Sequence, residues 1–258
     1  MDYLSRFAGL LTEVSEFDLQ ADITLQGRLV LDRVGNLIVS YAPFEHIQRS
    51  VRLVIIGITP GAQQARNALL EARRQLLGRA SHATVLAAAK VFASFSGPMR
   101  ANLVAMLDHI GLNRWLGIST TAAVWSTSSN LVHFTSALRY PVYLNGKNYA
   151  GNPSMTATPA LRDLLVRCLG EEARVLPEAV WIPLGPKAAE GVSWLVREGL
   201  LSSKQVLAGL PHPSGANAER VSYFLGRKDI ASLSPKTSPA SLDAARERLT
   251  EHVASLLR

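Results

Sequence analysis

Val51-Arg52-Leu53-Val54-Ile55-Ile56-Gly57, followed at once by Ile58-Thr59-Pro60-Gly61, is the stretch that decides the fold. From Val51 to Ile56 it is apolar except for Arg52, rich in β-branched residues, and does not alternate. A strand that reads this way is buried on both faces, as at the centre of a parallel sheet. Gly57 ends the strand and Pro60-Gly61 opens a turn. A Gly-x-x-Pro-Gly turn beyond a buried strand lets backbone approach a ligand with no Cβ in the way. The N–H groups of the next helix then favour a phosphate or a flat polar ring. The spacing is neither a Walker A loop nor a dinucleotide fingerprint, since neither Gly-Lys-Ser/Thr nor a third glycine follows.

Working outward, residues 62–94 are rich in Ala, Leu, Gln and Arg and are predicted helical. Gly97-Pro98 breaks the pattern, and a helix resumes over 99–111, closed by Gly111. Residues 122–126 read as a second short strand. Residues 127–157 carry Asn, Gly, Pro and Ser throughout and read as a long functional loop. A helix opens at Thr158-Pro159 and runs to about residue 169. A third strand covers 180–184, with a helix behind it to about 197, and a fourth covers 205–210, with His212 directly after it. Upstream, 1–15 is an amphipathic helix through Leu4, Phe7, Leu10 and Leu11, and 22–42 holds one or two short strands around Asn36. The alternation predicts an α/β fold, a three-layer α/β/α sandwich with a mostly parallel central sheet. One domain is expected over 1–258, with 1–50 as an N-terminal extension and 232–258 as a Ser/Pro-rich connector and last helix. Ligands of such sheets bind beyond the carboxyl ends of strands. The 57–61 turn, Asn130 and His212 are all expected at or within a few residues of such ends.

The chain has 258 residues, 48% hydrophobic and 18% charged, with a net charge of +7. A basic balance favours a polyanionic partner, because cations that neutralise phosphates release counterions. The single cysteine, Cys168, lies in an apolar helical run and reads as a small buried hydrophobe. One thiol excludes an intrachain disulfide and a four-thiolate cluster. No basic leader precedes an apolar core and no apolar run reaches about 18 residues, so neither a signal peptide nor a membrane span is expected. The resulting expectation is a cytoplasmic monomer. His46, His82, His109 and His252 lack metal-ligand spacing, and no metal or cofactor is expected. Trp115, Trp125, Trp181 and Trp194 are assigned to the core.

A second chemistry-bearing segment is Leu210-Pro211-His212-Pro213-Ser214-Gly215-Ala216-Asn217. A histidine between prolines has a restrained backbone, and a pre-organised donor is what stabilises charge growing on a leaving group. Taken in order, the 57–61 turn and this segment resemble the uracil-DNA glycosylase superfamily. Phe95-Ser96-Gly97-Pro98-Met99-Arg100 is similar to a segment of its iron–sulfur branch, and Ser129-Asn130-Leu131-Val132-His133 and Ile182-Pro183-Leu184-Gly185-Pro186-Lys187-Ala188 resemble further segments of the superfamily. The resemblance spans about residues 50–225 and implies a glycosylase that flips a pyrimidine from single- or double-stranded DNA and leaves an abasic site.

On that resemblance His212 and Thr59 are the catalytic candidates. Gly57, Ile58 and Gly61 would line the base, Phe95 would stack on it, and Asn130 would read its edge. Ser214, Gly215, Ala216, Asn217, Lys187, Arg100 and Arg220 would meet phosphates or a groove, and Tyr140, Tyr143, Lys147, Asn148 and Tyr149 the target strand. Three departures stand out: Thr59 where relatives carry Asp or Asn, no iron–sulfur cysteines, and Gly61-Ala62 where strict uracil enzymes carry a blocking Tyr. They point to a mismatched or bulky C5-modified pyrimidine, such as those of phage DNA, rather than plain uracil. The readings set against this are a non-catalytic nucleic-acid-binding protein of the same fold and a hydrolase of nucleosides or nucleotides.

Overall fold

The structure is a computed structural model describing residues 2–95 and 97–257, so Ser96 of the quoted Phe95–Arg100 segment lies outside it. The fold is α/β. In chain order its elements are α1 (Tyr3–Glu13), α2 (Glu16–Ala21), β1 (Val30–Val34), β2 (Leu37–Ser40), β3 (Leu53–Gly57), α3 (Ala62–Leu77), α4 (His82–Ala93), α5 (Pro98–His109), α6 (Leu112–Leu116), β4 (Val132–Ser136), β5 (Val142–Leu144), β6 (Lys147–Asn148), α7 (Pro159–Val175), β7 (Val180–Pro183), α8 (Gly185–Arg197), α9 (Ala218–Phe224) and α10 (Pro239–Ser255). No described helix is long and apolar enough to cross a membrane.

The chain divides into two compact units, each assembled from separate stretches: Met1–Arg49, Gly57–Ser94 and Phe134–Val175 in the first, Ser50–Ile56, Phe95–His133 and Leu176–Arg258 in the second. In the first, an antiparallel sheet runs in the order β1-β2-β5-β6. β5 and β6 meet at a two-residue turn in which Asn145 and Gly146 have φ of 52° and 73°. Asn-Gly is the sequence that such a hairpin turn calls for. The expected 127–157 loop therefore contains three strands. β5 and β6 are too short to show any alternation, which is why they read as loop. Helices α1, α2 and α4 pack on α3, and Phe7 stacks on the buried ring of Tyr41 with centroids 4.6 Å apart.

The other sheet has the order β4-β3-β7. β3 pairs in parallel with β7, from Leu53↔Val180 to Ile56↔Pro183. Every residue of β3 is buried, as its unbroken apolar run requires. The strand expected at 122–126 is instead a 3₁₀ turn, Thr121–Trp125. The reason is local. The Thr120 hydroxyl accepts the Ala122 N–H and donates to Asp108, and the Thr121 N–H also bonds Asp108, so the segment is capped rather than extended. The strand expected at 205–210 reduces to one bridge, Val206 to Trp181. Trp115 and Trp181 are buried in the core, whereas Trp125 and Trp194 are only half-buried.

The first unit also buries charge. The Arg139 guanidinium gives Nε and Nη2 to Glu172 Oε1 at 3.0 and 2.9 Å, and Nη2 also reaches the Cys168 carbonyl and Glu171 at 3.2 Å. Glu172 is fully buried. Burial works against the charge on Arg139, but Glu172, with Cys168 and Tyr140 adding to it, holds the group above its usual range. Removing one partner of such a pair leaves an uncompensated buried charge, at a cost of about 3–5 kcal/mol. Chemical denaturation of Glu172→Ala should show a loss of that size. The double variant Arg139→Met, Glu172→Leu should recover most of it, since apolar replacement of both partners removes the stranded charge.

Candidate functional site

In the first unit the turn after β3 is held by backbone and side chains together. The carbonyls of Gly57 and Ile58 accept the N–H groups of Ala137 and Leu138, both at 2.9 Å. The Thr59 hydroxyl donates to the Tyr140 carbonyl at 2.8 Å and accepts the Val142 N–H at 3.0 Å. Its single proton and one lone pair are thus committed to backbone. The side chain clips the turn to the start of β5.

Gly61 caps α3, its N–H bonded to Gln64 Oε1, and the Ala62 N–H is taken by Asn148 Oδ1 at 3.0 Å. A Cβ on Gly61 would come within 3.4 Å of Asn148 Nδ2, so the glycine leaves room for that amide. Asn148 Nδ2 makes no hydrogen bond among the described residues. Asn148, expected only as a loop residue facing the target strand, is therefore part of the turn. The signal that could have found it is the Asn145-Gly146 hairpin just before it, which folds β6 back toward the glycine turn.

In the second unit the Pro-His-Pro-Ser segment is fixed from several sides. The Gly185 N–H bonds the Leu210 carbonyl at 2.9 Å. Gly185 has φ of +78°, and a Cβ there would lie 3.1 Å from His212 Cβ, so both conformation and space require glycine. Asn102 on α5 donates to the Pro213 carbonyl at 2.9 Å. The Ser214 N–H donates to His212 Nδ1 at 3.2 Å, and the Asn217 amide donates to Ser214 Oγ at 3.1 Å. Burial lowers the His212 pKa below the usual imidazole range. Gly215 and Ala216 are exposed.

The structure thus brings His212, Ser214 and Asn217 together and anchors them. Asn130 is different. It sits on a 3₁₀ turn, Ser129–Leu131, that leads into β4. Rungs from the Arg52 N–H to Leu131 and from the Ala137 N–H to Gly57 advance together, so β4 runs parallel to β3. Asn130 therefore stands at the amino end of its strand, and the expected carboxyl-end position falls to Ser136 and Ala137.

Phe95 is buried, with φ of +47°, a conformation uncommon for an aromatic residue. Arg100 bonds its carbonyl and lies 5.1 Å from the Trp125 ring centroid. Lys187 pairs with Glu190 at 3.7 Å, and Arg220 donates to Asn217 and to the Lys236 carbonyl. These three cations, expected on phosphates, have protein partners. The Lys236 contact belongs to a larger clamp. Glu219 accepts from the Ser234 N–H, the Ser234 hydroxyl and the Thr237 hydroxyl, and pairs with Lys228. Ser234 first and Thr237 next pull the Glu219 pKa down to about 2.

Among curated proteins, 222 residues of the chain align at 37% identity with the uncharacterized protein YoxB of Bacillus subtilis (strain 168), covering 84% of this chain and 86% of that protein. No family model matches and no solved structure matches.

Two substitutions separate the roles just described. Thr59→Val deletes both backbone bonds and should cost about 1–3 kcal/mol by thermal melting, with Thr59→Ser keeping most of the stability. Gly185→Ala forces a Cβ against His212. It should perturb the His212 imidazole resonances in NMR even where the protein stays folded.

Proposed function

The chain belongs to the family of YoxB, and from the setting of His212 we propose that it is a DNA glycosylase that releases a pyrimidine from DNA. The observation that carries the reading is the His212 ring. Its lowered pKa keeps it neutral at pH 7, and its Nδ1 accepts from the Ser214 backbone. A neutral imidazole with Nδ1 as acceptor carries its proton on Nε2. The result is a fixed, uncharged donor in a turn restrained by two prolines.

In the proposed step the bond between the sugar C1′ and the base nitrogen breaks, and its electron pair leaves with the base. Nε2–H of His212 donates to the base oxygen on which negative charge grows, without giving up its proton. Water adds to C1′ and releases a proton to solvent. Thr59 supplies no base, since its proton is already given to the Tyr140 carbonyl. Lacking general-base help lowers a rate about 10²–10⁴-fold. The substrate that suits this chain is therefore a base that leaves readily as an anion, in a mismatch or with a C5 modification such as phage DNA carries. The same reading gives a three-layer α/β/α sandwich of the uracil-DNA glycosylase kind, a monomer in the cytoplasm with DNA as partner and no cofactor.

One observation favours a second reading. With the Thr59 hydroxyl committed to backbone on both sides, the fold also suits a nucleic-acid binder without turnover.

Duplexes bearing uracil, thymine opposite guanine, hydroxymethylcytosine or glucosylated cytosine, assayed by mass spectrometry for free base, decide between them. Release of a mismatched or modified base is expected, with His212→Ala slowing it at least about 100-fold while duplex affinity holds. Release of uracil alone would remove the modified-base specificity. No release from any duplex, with salt-sensitive binding intact, would leave the binding reading.

A further inference from the structure

The first unit contains a cavity of about 420 Å³ that the proposed base chemistry does not use. Its lining includes Tyr3, Asp32, Glu45, Arg139, Tyr140 and Glu171. A space of this size takes a small molecule rather than a water or two.

Charge decides what kind. Arg139 is already matched: Glu172 takes its Nε and Nη2, and Glu171 takes Nη2 again. Glu45 is the reverse. Both of its carboxylate oxygens are buried, and neither meets a partner at hydrogen-bonding geometry, although the Tyr41 and Tyr140 hydroxyls lie beside it. Burial pushes Glu45 up to about 7, with Arg139 and Lys90 pulling the other way. Lys90 is itself buried. Its ammonium donates to the His46 carbonyl at 2.6 Å, and burial brings it down to about 8. Neither cation therefore contacts Glu45. On the cavity side, Asp32 adds a second carboxylate and Arg167 is the opposing charge. In a protein of net charge +7, the cavity is locally acidic.

The walls add a second feature suited to cations. Tyr3 and Tyr140 both line the space and meet edge to face, with centroids 5.5 Å apart. Aromatic rings of this kind attract ammonium groups through their faces.

We propose that this cavity is a binding site for a small organic cation, a primary ammonium on a compact stem. The tyrosine pair supplies the aromatic wall. Glu45, also in the lining, supplies a buried carboxylate that pairs with no cation among the described residues, in a setting where charge is weakly screened. The site lies in the first unit alone and does not depend on the glycosylase reading.

Isothermal titration with benzylamine tests it on the intact chain, with benzyl alcohol and benzoate as neutral and anionic matches in shape. Benzylamine should bind at least about tenfold more tightly than either. Its affinity should rise between pH 6 and pH 8 as Glu45 ionises while the amine stays charged. Glu45→Gln keeps the shape, removes an unpartnered buried charge and should fold at least as well. It should weaken benzylamine about tenfold and abolish the pH dependence. Tighter binding of benzoate would move the site to Arg139 and Arg167 and overturn the proposal. So would equal binding of all three probes, no binding of benzylamine, or an affinity unchanged by Glu45→Gln.

Discussion

β3 is buried on both faces, so its backbone groups can find partners only at the strand's two flanks. β7 takes one flank in parallel register, and the bonding runs past the strand's end as the Leu184 N–H reaches the Ile56 carbonyl. That rung sets where β7 stops. The next residue, Gly185, has the left-handed conformation that starts α8 and brings its Cα against His212. A constraint that is purely about pairing peptide groups thus propagates, residue by residue, to the one imidazole on which the proposed chemistry rests.

The buried polar groups fall into two energetic kinds. Thr59 is satisfied, and both it and the Arg139–Glu172 pair join segments distant in sequence. Glu45 is not satisfied. A buried acceptor without a donor costs about 1–3 kcal/mol, and more when charged. Evolution rarely leaves such a cost in place where an apolar residue would fit, and the neighbouring cavity offers a reason for the carboxyl to stay.

How much was legible in the sequence follows from which signals are local. The unbroken apolar run of β3, the Pro-opened helix α7 and the strand β7 announce themselves through residues a few positions apart; β3 and β7 stand where they were expected, and α7 starts where expected but runs on to Val175. The role of Gly185 was half-legible, since a glycine after a strand is visible but the contact with His212 is not. The 3₁₀ turn at Thr121–Trp125 was hidden because Asp108, which caps it, comes from α5. Asn130 looked apt by residue type, yet the strand it was placed beyond does not exist, and it precedes β4 instead. The clip made by Thr59 was hidden for a related reason: a hydroxyl beside a glycine turn looks free until the Tyr140 carbonyl and Val142 N–H are found on either side of it.

The clamp made by Glu219 changes how the C-terminal segment should be regarded. Connector residues 232–238 are mostly exposed and carry Ser and Pro, the composition of a tether. Yet Glu219 fixes the connector at Ser234 and Thr237, while Tyr223 and the Phe224 carbonyl on α9 bond Asp243 and Arg246 on α10. α9, the connector and α10 therefore open and close as one cooperative block. The Ser234 amide, though near the surface, exchanges its hydrogen only when that block opens. Because α9 begins directly after Asn217, trimming the last helix disturbs the end of the histidine turn, a region far removed from it in sequence.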